Sequence, residues 1–592
     1  MCGIAGIING PNNSERQLNK MLNAIKHRGP DDHGLLIDDR NHVFLGSRRL
    51  SILDLSVKGK MPMYNRAQNI AVCQNGEIYN YLDVKAKLIA LGYSFKSNSD
   101  TEVIVYGYQE WGTDVFNKLD GMFAISIFDK KNNKVILARD RIGIKPLYYL
   151  SNDKSIYFSS EMKSFMQIEN YSFKGNLDIE MINQLIGFMF LPNSESTIVE
   201  GIRKLLPGHV LEISLSNMKT TLSKYWDLPI NQKPNTISFN DAVDELDKLL
   251  IETVSAHLMS DVPLGILLSG GLDSSLIAAM VKKITKSEVT TFNAKFKHKF
   301  NESENAKSVA KYIGTNHQEI FIDSRDVNKN IEKHIIDYDD LTTFDGGLIT
   351  TKLLCEKIKE RGVTVVLLGE GADEIFGGYS WFGLSQFPFS FMPDLIKSTL
   401  YYYAISRNLT FNTTFYYKTW INLYKRFHNP DIFRTITEME LKIQLPNHLL
   451  MKVDKASMSA SVEARVPYLD HKVVEYAYNL PREHKIKGSV FNIRPSNEKH
   501  ILREVAKRYL PTEVAYRKKR GFMMPMSDVL YSDINKVKDY ILSKDSLSQN
   551  LIPRHKLENL FNDSQLGALK MQKEYLLWRL FLLEVWSNVY AK

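Results

Sequence analysis

Two clusters of residues in this chain have the types and spacing to do chemistry. The first is its opening, Met1-Cys2-Gly3-Ile4-Ala5-Gly6. Once Met1 is removed, Cys2 carries a thiol and a free α-amino group on one residue. The thiolate is a nucleophile, and an α-amine titrates at about pH 8, close enough to working pH to serve as its general base. No histidine partner is needed. The second cluster is Ile266-Leu267-Leu268-Ser269-Gly270-Gly271-Leu272-Asp273-Ser274-Ser275, glycines and hydroxyls between an apolar run and a helical one. Glycines let the main chain close on a phosphate, and a helix start adds free N–H groups and the positive end of a dipole. Asp273 is suited to hold Mg²⁺ beside the phosphates. This is not the Walker loop, because no Gly-Lys-Ser/Thr follows the glycines. A further stretch, Gly369-Glu370-Gly371-Ala372-Asp373-Glu374-Ile375-Phe376-Gly377-Gly378-Tyr379, follows another apolar run. It is expected at the same sheet edge, where ligands of open α/β sheets collect.

The elements that must position these residues fall into two halves. Residues 1–226 read as short strands joined by turns: Ile4–Ile8, Gly121–Phe128, Lys134–Ala138, Tyr157–Ser160 and Gly208–Ser214. Helical periodicity appears at Gln17–Ile25, Tyr81–Leu91 and Glu102–Trp111. Mixed in this way they predict an α+β layered domain. Residues 227–237 hold two prolines with several Asn and Gln and no periodicity, which reads as a linker. From 238 to 592, helices (Phe239–His257, Leu272–Ile284, Glu304–Tyr312) alternate with apolar strands (Val262–Leu268, Val289–Phe296, Gln318–Ile322, Val363–Leu368). That order predicts a doubly wound parallel sheet with a mainly helical part after about residue 380. The aromatic-rich 381–427 is read as core packing.

Composition excludes several classes. A chain of 592 residues needs more than one core. Its 44% apolar and 24% charged residues are not those of a disordered chain. Three cysteines exclude a disulfide scaffold and a multi-cysteine zinc site, and favour a reducing, cytoplasmic setting. The net charge of +9 is mild, and its densest run, Arg517-Lys518-Lys519-Arg520, is no nucleic-acid stripe. No segment is long and apolar enough to span a membrane; the best, Tyr575–Trp586, is broken by Arg579 and Glu584. No nucleic-acid or membrane partner is expected.

Six ordered motifs in the first half are similar to the glutaminase domain of the N-terminal-nucleophile (class II) glutamine amidotransferases. These are the Cys2 opening, His27-Arg28-Gly29-Pro30-Asp31, Arg49-Leu50-Ser51-Ile52, Asn75-Gly76-Glu77-Ile78-Tyr79-Asn80, Ser99-Asp100-Thr101-Glu102 and Asp140-Arg141-Ile142-Gly143-Ile144-Lys145-Pro146-Leu147. The resemblance implies an αββα sandwich with Cys2 as nucleophile. It also implies an oxyanion hole made of the Asn75 side-chain amide and the Gly76 N–H. Each such donor stabilises a transition state by roughly 3–4 kcal/mol. Arg49 would take the glutamine α-carboxylate, and Asp100 with Glu77 its α-amine. Read alone, Asn75-Gly76 is also a hairpin-turn signal, and both readings stay open.

The Ser269–Ser275 loop is similar to that of enzymes splitting ATP into AMP and pyrophosphate. It is joined by Gly369–Tyr379, Asp454-Lys455-Ala456-Ser457-Met458, Glu463–Asp470, Lys499-His500-Ile501-Leu502-Arg503 and Arg517–Phe522. Together these resemble the synthetase domain of the glutamine-hydrolysing asparagine synthetase family over nearly the whole chain. The resemblance implies a PP-loop ATP pyrophosphatase fold. Leu268, Ala294, Leu368 and Gly369 would line the adenosine pocket, and Ser269, Gly270, Gly271, Asp273, Ser274 and Ser275 would hold pyrophosphate. Asp273 and Asp373 would meet Mg²⁺. Glu370 would orient ammonia or take its proton, and Lys519 would face the phosphates.

The implied substrates are glutamine, ATP and a carboxylate, with L-aspartate as the first candidate and a homodimer as the candidate assembly. An internal ammonia tunnel between the domains is also implied. Leu368 stands where the family often has serine. The run Arg520-Gly521-Phe522-Met523-Met524-Pro525 departs from the aspartate-specific pattern, which opens the acceptor to sugar uronic acids or other carboxylates. Asp345-Gly346-Gly347 is expected in the same pocket. A β-lactam-forming relative needs no glutaminase and is disfavoured by Cys2, Arg49, Asn75 and Asp100. A non-catalytic nucleotide binder is disfavoured by the groups retained at both sites.

Overall fold

The computed structural model describes residues 2–11, 13–152, 154–232, 234–296, 303–341, 347–386, 388–406, 413–488, 497–518, 526–562 and 568–591. The first twelve strands are β1 (Cys2–Ile8), β2 (Asp32–Asp38), β3 (Val43–Arg49), β4 (Met63–Tyr64), β5 (Ile70–Ile78), β6 (Gly121–Asp129), β7 (Lys134–Arg139), β8 (Tyr148–Ser151), β9 (Ile156–Ser159), β10 (Ile202–Lys204), β11 (His209–Ser214) and β12 (Thr220–Lys224). They form two antiparallel sheets, β10-β8-β9-β1-β3-β2 and β12-β11-β7-β6-β5-β4. Alternation along each strand sorts the apolar residues. Ile4 and Ile8 of β1 meet Ala71, Cys73, Ala124 and Leu137 of the other sheet. Ala5 and Ile7 pack with Leu18, Met21 and Leu22 of the helix Ser14–Ala24. Val72, Ile125 and Ile127 pack with Val103 and Ile104 of the helix Thr101–Trp111. Helix, sheet, sheet, helix is the expected αββα order.

The second half holds β13 (Leu264–Leu267), β14 (Thr290–Lys295), β15 (Asn316–Phe321), β16 (Val365–Leu367) and β17 (Glu463–Arg465) in a parallel sheet of order β15-β14-β13-β16-β17. Chain order runs outward from β13 in one direction to β15, then restarts on its other side at β16. The reversal lies between β13 and β16. Crevices at such switch points bind ligands, and the segments leaving β13 and β16 are the two glycine-rich stretches singled out above.

The structure amends some expectations. Asn75-Gly76 is no hairpin turn: both residues lie inside β5, paired with Ala124 and Phe123 of β6. The described residues of 227–237 form no regular element but are packed down. Leu228 is buried, Asp227 meets Lys442 at 2.7 Å, and the Asn235 N–H donates to Asn479 O at 2.8 Å. The aromatic stretch does build a core, with Phe382, Tyr401, Tyr402, Trp420 and Tyr424 around Phe188 and Phe433. In the helix Ala568–Tyr590 both interrupting charges are satisfied inside the protein. Arg579 donates to Ile186 O at 2.8 Å, and Glu584 accepts from the Ser548 N–H and hydroxyl at 2.6 Å.

Candidate active sites

Cys2 stands at the start of β1, opposite Arg49 at the end of β3. Its backbone nitrogen donates to Asn75 Oδ1 at 3.3 Å. That fixes which way the Asn75 amide points. Its Nδ2 is buried with no hydrogen-bond partner among the described residues. In β5, alternate N–H groups turn away from β6: Gln74 N–H meets Met61 Sδ at 3.2 Å and Ile78 N–H meets Asp100 Oδ2 at 2.9 Å. By the same alternation the Gly76 N–H points to that side. Gly76 is required there: its φ is 154°, and a Cβ would overlap Met122 O in β6. Asn75 Nδ2 beside Cys2 and the Gly76 N–H on the side of β5 away from β6 are thus the two donors that an oxyanion site here could draw on.

Arg49 is held by the carbonyls of Leu53, Asp54 and Ser56, the last at 3.0 Å. Asp100 accepts from Gln74 Nε2 and Ile78 N–H, each at 2.9 Å. Burial raises the Asp100 carboxyl above its ordinary value, and burial together with Asp100 raises that of Glu77. Two buried acids that repel each other favour a cation between them. Glu77 Oε2 lies 3.4 Å from Arg465 Nη2, and Glu77 Oε1 has no hydrogen-bond partner among the described residues. Burial also pushes the Cys2 thiol up, opposed by the Leu50 N–H and Arg49.

At the switch point, the Ser269 and Ser274 hydroxyls are 3.0 Å apart, and Ser274 Oγ also accepts from Ser269 N–H at 3.1 Å. Gly271 precedes the helix Leu272–Thr285, and Ser275 Oγ is buried with no hydrogen-bond partner among the described residues. Leu268 and Ala294 are buried, and the Leu268 carbonyl accepts from Asn293 Nδ2 at 2.8 Å. Leu368 N–H donates to Arg465 O at 2.9 Å, and Gly369 lies against the main chain of Asp273 and Ser274. The carboxylates of Asp273 and Asp373 converge on Lys499 Nζ, each at 2.7 Å, and those two acids raise the lysine above its ordinary value against the burial that lowers it. Gly378 makes room: a Cβ there would overlap Asp373 and Lys499.

Two hard carboxylates aimed at one positive centre fit a Mg²⁺ ion that also takes substrate phosphate oxygens. Glu370 sits 3.5 Å from Lys452. Lys519, Asp345 and Gly346 lie outside the described residues; Arg517, at the start of the same basic run, donates to Gly270 O at 2.6 Å.

Several residues at these sites carried no local signal of a role. Lys499 was visible only as part of a motif. Glu374, buried and accepting from Tyr379 OH at 2.5 Å, is pushed up to about 7 by burial and by Asp373. Arg28 donates to Cys2 O at 3.3 Å, to Glu161 at 2.8 Å and to Asp454 at 2.9 Å. It therefore joins the nucleophile strand to the helix Leu450–Ser459 of the second half.

Residues 1–226 match the glutamine amidotransferase domain family, and residues 245–588 match the asparagine synthase family. The chain belongs to the asparagine synthase family. Over its full length it is 30% identical to glutamine-hydrolysing asparagine synthetase 1 of Bacillus subtilis, covering 97% of that protein. It is 29% identical to asparagine synthetase B of Escherichia coli, over 91% of this chain and 84% of the relative. It is 28% identical to amidase chry2 of Gibberella zeae, over 89% of each chain. A member of the asparagine synthase family with both domains is a carbon–nitrogen ligase that takes its amide nitrogen from glutamine and is driven by ATP. Among the described residues no helix is long and apolar enough to cross a membrane.

Proposed function

We propose that this asparagine synthase family member works through two sites, and that its acceptor is L-aspartate. At the first site the Cys2 thiolate attacks the glutamine amide carbon, its proton passing to the α-amine exposed by loss of Met1. The oxyanion is held by Asn75 Nδ2 and the Gly76 N–H. Collapse expels ammonia, protonated by the same amine, and water hydrolyses the γ-glutamyl thioester. Arg49 takes the glutamine α-carboxylate, and Asp100 with Glu77 its ammonium. The observation that carries this reading is the orientation of Asn75: its oxygen is engaged by Cys2 N, which leaves a buried N–H pair for the substrate.

At the second site Ser269–Ser275 hold the ATP phosphates, with the adenosine against Leu268, Ala294, Leu368 and Gly369. Asp273 and Asp373 hold Mg²⁺, which when bound supplies positive charge to the phosphates. The acceptor carboxylate attacks the α-phosphorus and pyrophosphate leaves. Ammonia then attacks the acyl-adenylate carbon, Glu370 takes its proton, and AMP leaves with the bonding pair. Lys519 balances the phosphate charge. The products are asparagine, glutamate, AMP and diphosphate.

The test is a product assay with amide-¹⁵N glutamine, ATP and a panel of carboxylic acids. Labelled asparagine and stoichiometric AMP with aspartate support the reading. No asparagine from aspartate, with a labelled amide from a uronic or other acid, retains the mechanism and overturns the acceptor.

A further inference from the structure

Three side chains are assigned above to the α-amino-acid end of glutamine, and they are held in different ways. Asp100 is fixed within the first half, by Gln74 Nε2 and the Ile78 N–H at 2.9 Å each. Glu77 is fixed from the second half. Among the described residues its one ion pair is with Arg465 Nη2 at 3.4 Å. Arg465 ends β17, is fully buried, and has its other nitrogens committed. Nε donates to Glu463 Oε1 at 2.6 Å, and Nη1 donates to the carbonyls of His257 and Met259 at 2.7 and 2.6 Å. A guanidinium is a rigid planar fork, so those bonds dictate where Nη2 points, and it points at Glu77. The charge matters as well as the aim: burial and Asp100 push the Glu77 carboxyl up, and Arg465 opposes them.

Arg49 is reached by a second route. Its guanidinium donates to the carbonyls of Leu53, Asp54 and Ser56, and Asp54 is the hub of that loop. Asp54 has a left-handed φ of 54°, a conformation that persists in such a residue when its surroundings fix it. Its carboxylate takes the Ser56 hydroxyl at 2.5 Å and the Asn98 N–H at 2.8 Å, both in the first half. Its own N–H donates to Asp261 Oδ2 at 2.9 Å, and the Asp261 N–H donates back to Ile52 O at 2.9 Å. Asp261 stands just before β13, in the same stretch as the two carbonyls that orient Arg465. The His257 ring of that stretch also packs on Tyr79, with centroids 3.9 Å apart, close to Glu77 in the chain.

We propose that Arg465 and Asp261 are positioning residues of the glutaminase site. Arg465 aims Glu77 at the substrate ammonium, and Asp261 braces the loop that cages Arg49 for the α-carboxylate. Glutamine recognition is thereby completed by the synthetase half. This rests on the roles proposed above for Arg49 and Glu77.

The test is ammonia release by the full chain from three amides: glutamine, glutaramate, which lacks the α-amine, and 4-aminobutanamide, which lacks the α-carboxylate. Arg465→Lys should raise the KM for glutamine about ten-fold with kcat little changed, and leave kcat/KM for glutaramate near the wild-type value. Asp261→Ala should raise the KM for glutamine about five-fold and spare 4-aminobutanamide. Asp261→Asn keeps an acceptor oxygen and should restore the glutamine KM. Asp261 is exposed, so its variants decide the matter should the buried Arg465 tolerate no replacement. An unchanged KM for glutamine in either variant, or an equal loss on all three amides, overturns the inference and leaves the site itself standing. Ammonia release that survives Cys2→Ala overturns the site and the inference with it.

Discussion

Replacing Lys499 with Met removes one charge from the centre of the synthetase site and keeps its aliphatic stem. The ammonium lies 2.7 Å from Asp273 Oδ2 and 2.7 Å from Asp373 Oδ1, so those oxygens are at most twice 2.7 Å, or 5.4 Å, apart. Without the cation, two like charges at about 5 Å repel by about 3 kcal/mol at an effective dielectric of about 20. The carboxylates are 21% and 18% exposed, and solvent screening trims this to about 2 kcal/mol. Lys499→Met should therefore unfold at lower temperature in magnesium-free buffer. Mg²⁺ alone, without ATP, should recover the loss, since a ligand at about a hundred times its Kd contributes about 2.7 kcal/mol. The wild type should respond less, because its lysine competes with the ion for the same two oxygens. The assay is thermal unfolding of both proteins across a Mg²⁺ series, with Ca²⁺ as a second hard cation and K⁺ as the ionic-strength control. A variant as stable as the wild type, or one with an unchanged Mg²⁺ response, would refute the idea that Asp273 and Asp373 form a shared cation site.

Cys2→Ala should abolish glutamine-dependent synthesis and leave ammonia-dependent synthesis near the wild-type rate; parallel loss of both in a coupled AMP assay counts against separable sites. Asn75→Ala removes one oxyanion donor and should lower glutaminase kcat by about 10²–10³, with ammonia-dependent synthesis as the internal control. Glu374, raised from 4.5 to about 7 in the folded state, binds its proton more tightly there than in the unfolded chain. Between those pH values the folded state holds more protons, so its contribution to stability falls as pH rises from 4.5 through 7. Glu374→Gln should flatten that part of the denaturation-versus-pH curve, and an unchanged slope would contradict the assignment.

The legible parts of the sequence were those where the determining forces are local. β1, β6 and β7 are apolar runs that hold sheet positions by burial, and the loop after β13 announces itself by glycines between a strand and a helix. β5 does not read as a strand because Gln74, Asn75 and Glu77 interrupt its apolar pattern, and those are the polar residues the proposed glutaminase site draws on. Asn-Gly favours a turn in isolation, but nine residue pairs with β6 override the local preference. The charged partners lie farther out of reach. Lys499 meets Asp273 across 226 positions, and Arg28 meets Asp454 across 426. No window of sequence contains both members of either pair, so only the folded topology joins them.

Arg28 also bears on how such an enzyme can change over evolutionary time. Its guanidinium is fully buried, and the atoms that satisfy it belong to both halves: Cys2 O and Glu161 on one side, Asp454 on the other. Lys145 adds a second buried cation 3.4 Å from Asp454. Removing one partner from such a cluster leaves an unpaired buried charge at a cost of about 3–5 kcal/mol. A glutaminase half grafted onto a foreign synthetase would inherit that debt unless an acid stood where Asp454 does. The two halves are therefore poor interchangeable cassettes. Chimeras exchanged at the junction near residue 230 should survive only when donor and recipient agree on this handful of charges, and divergence on one side of the boundary must be answered on the other.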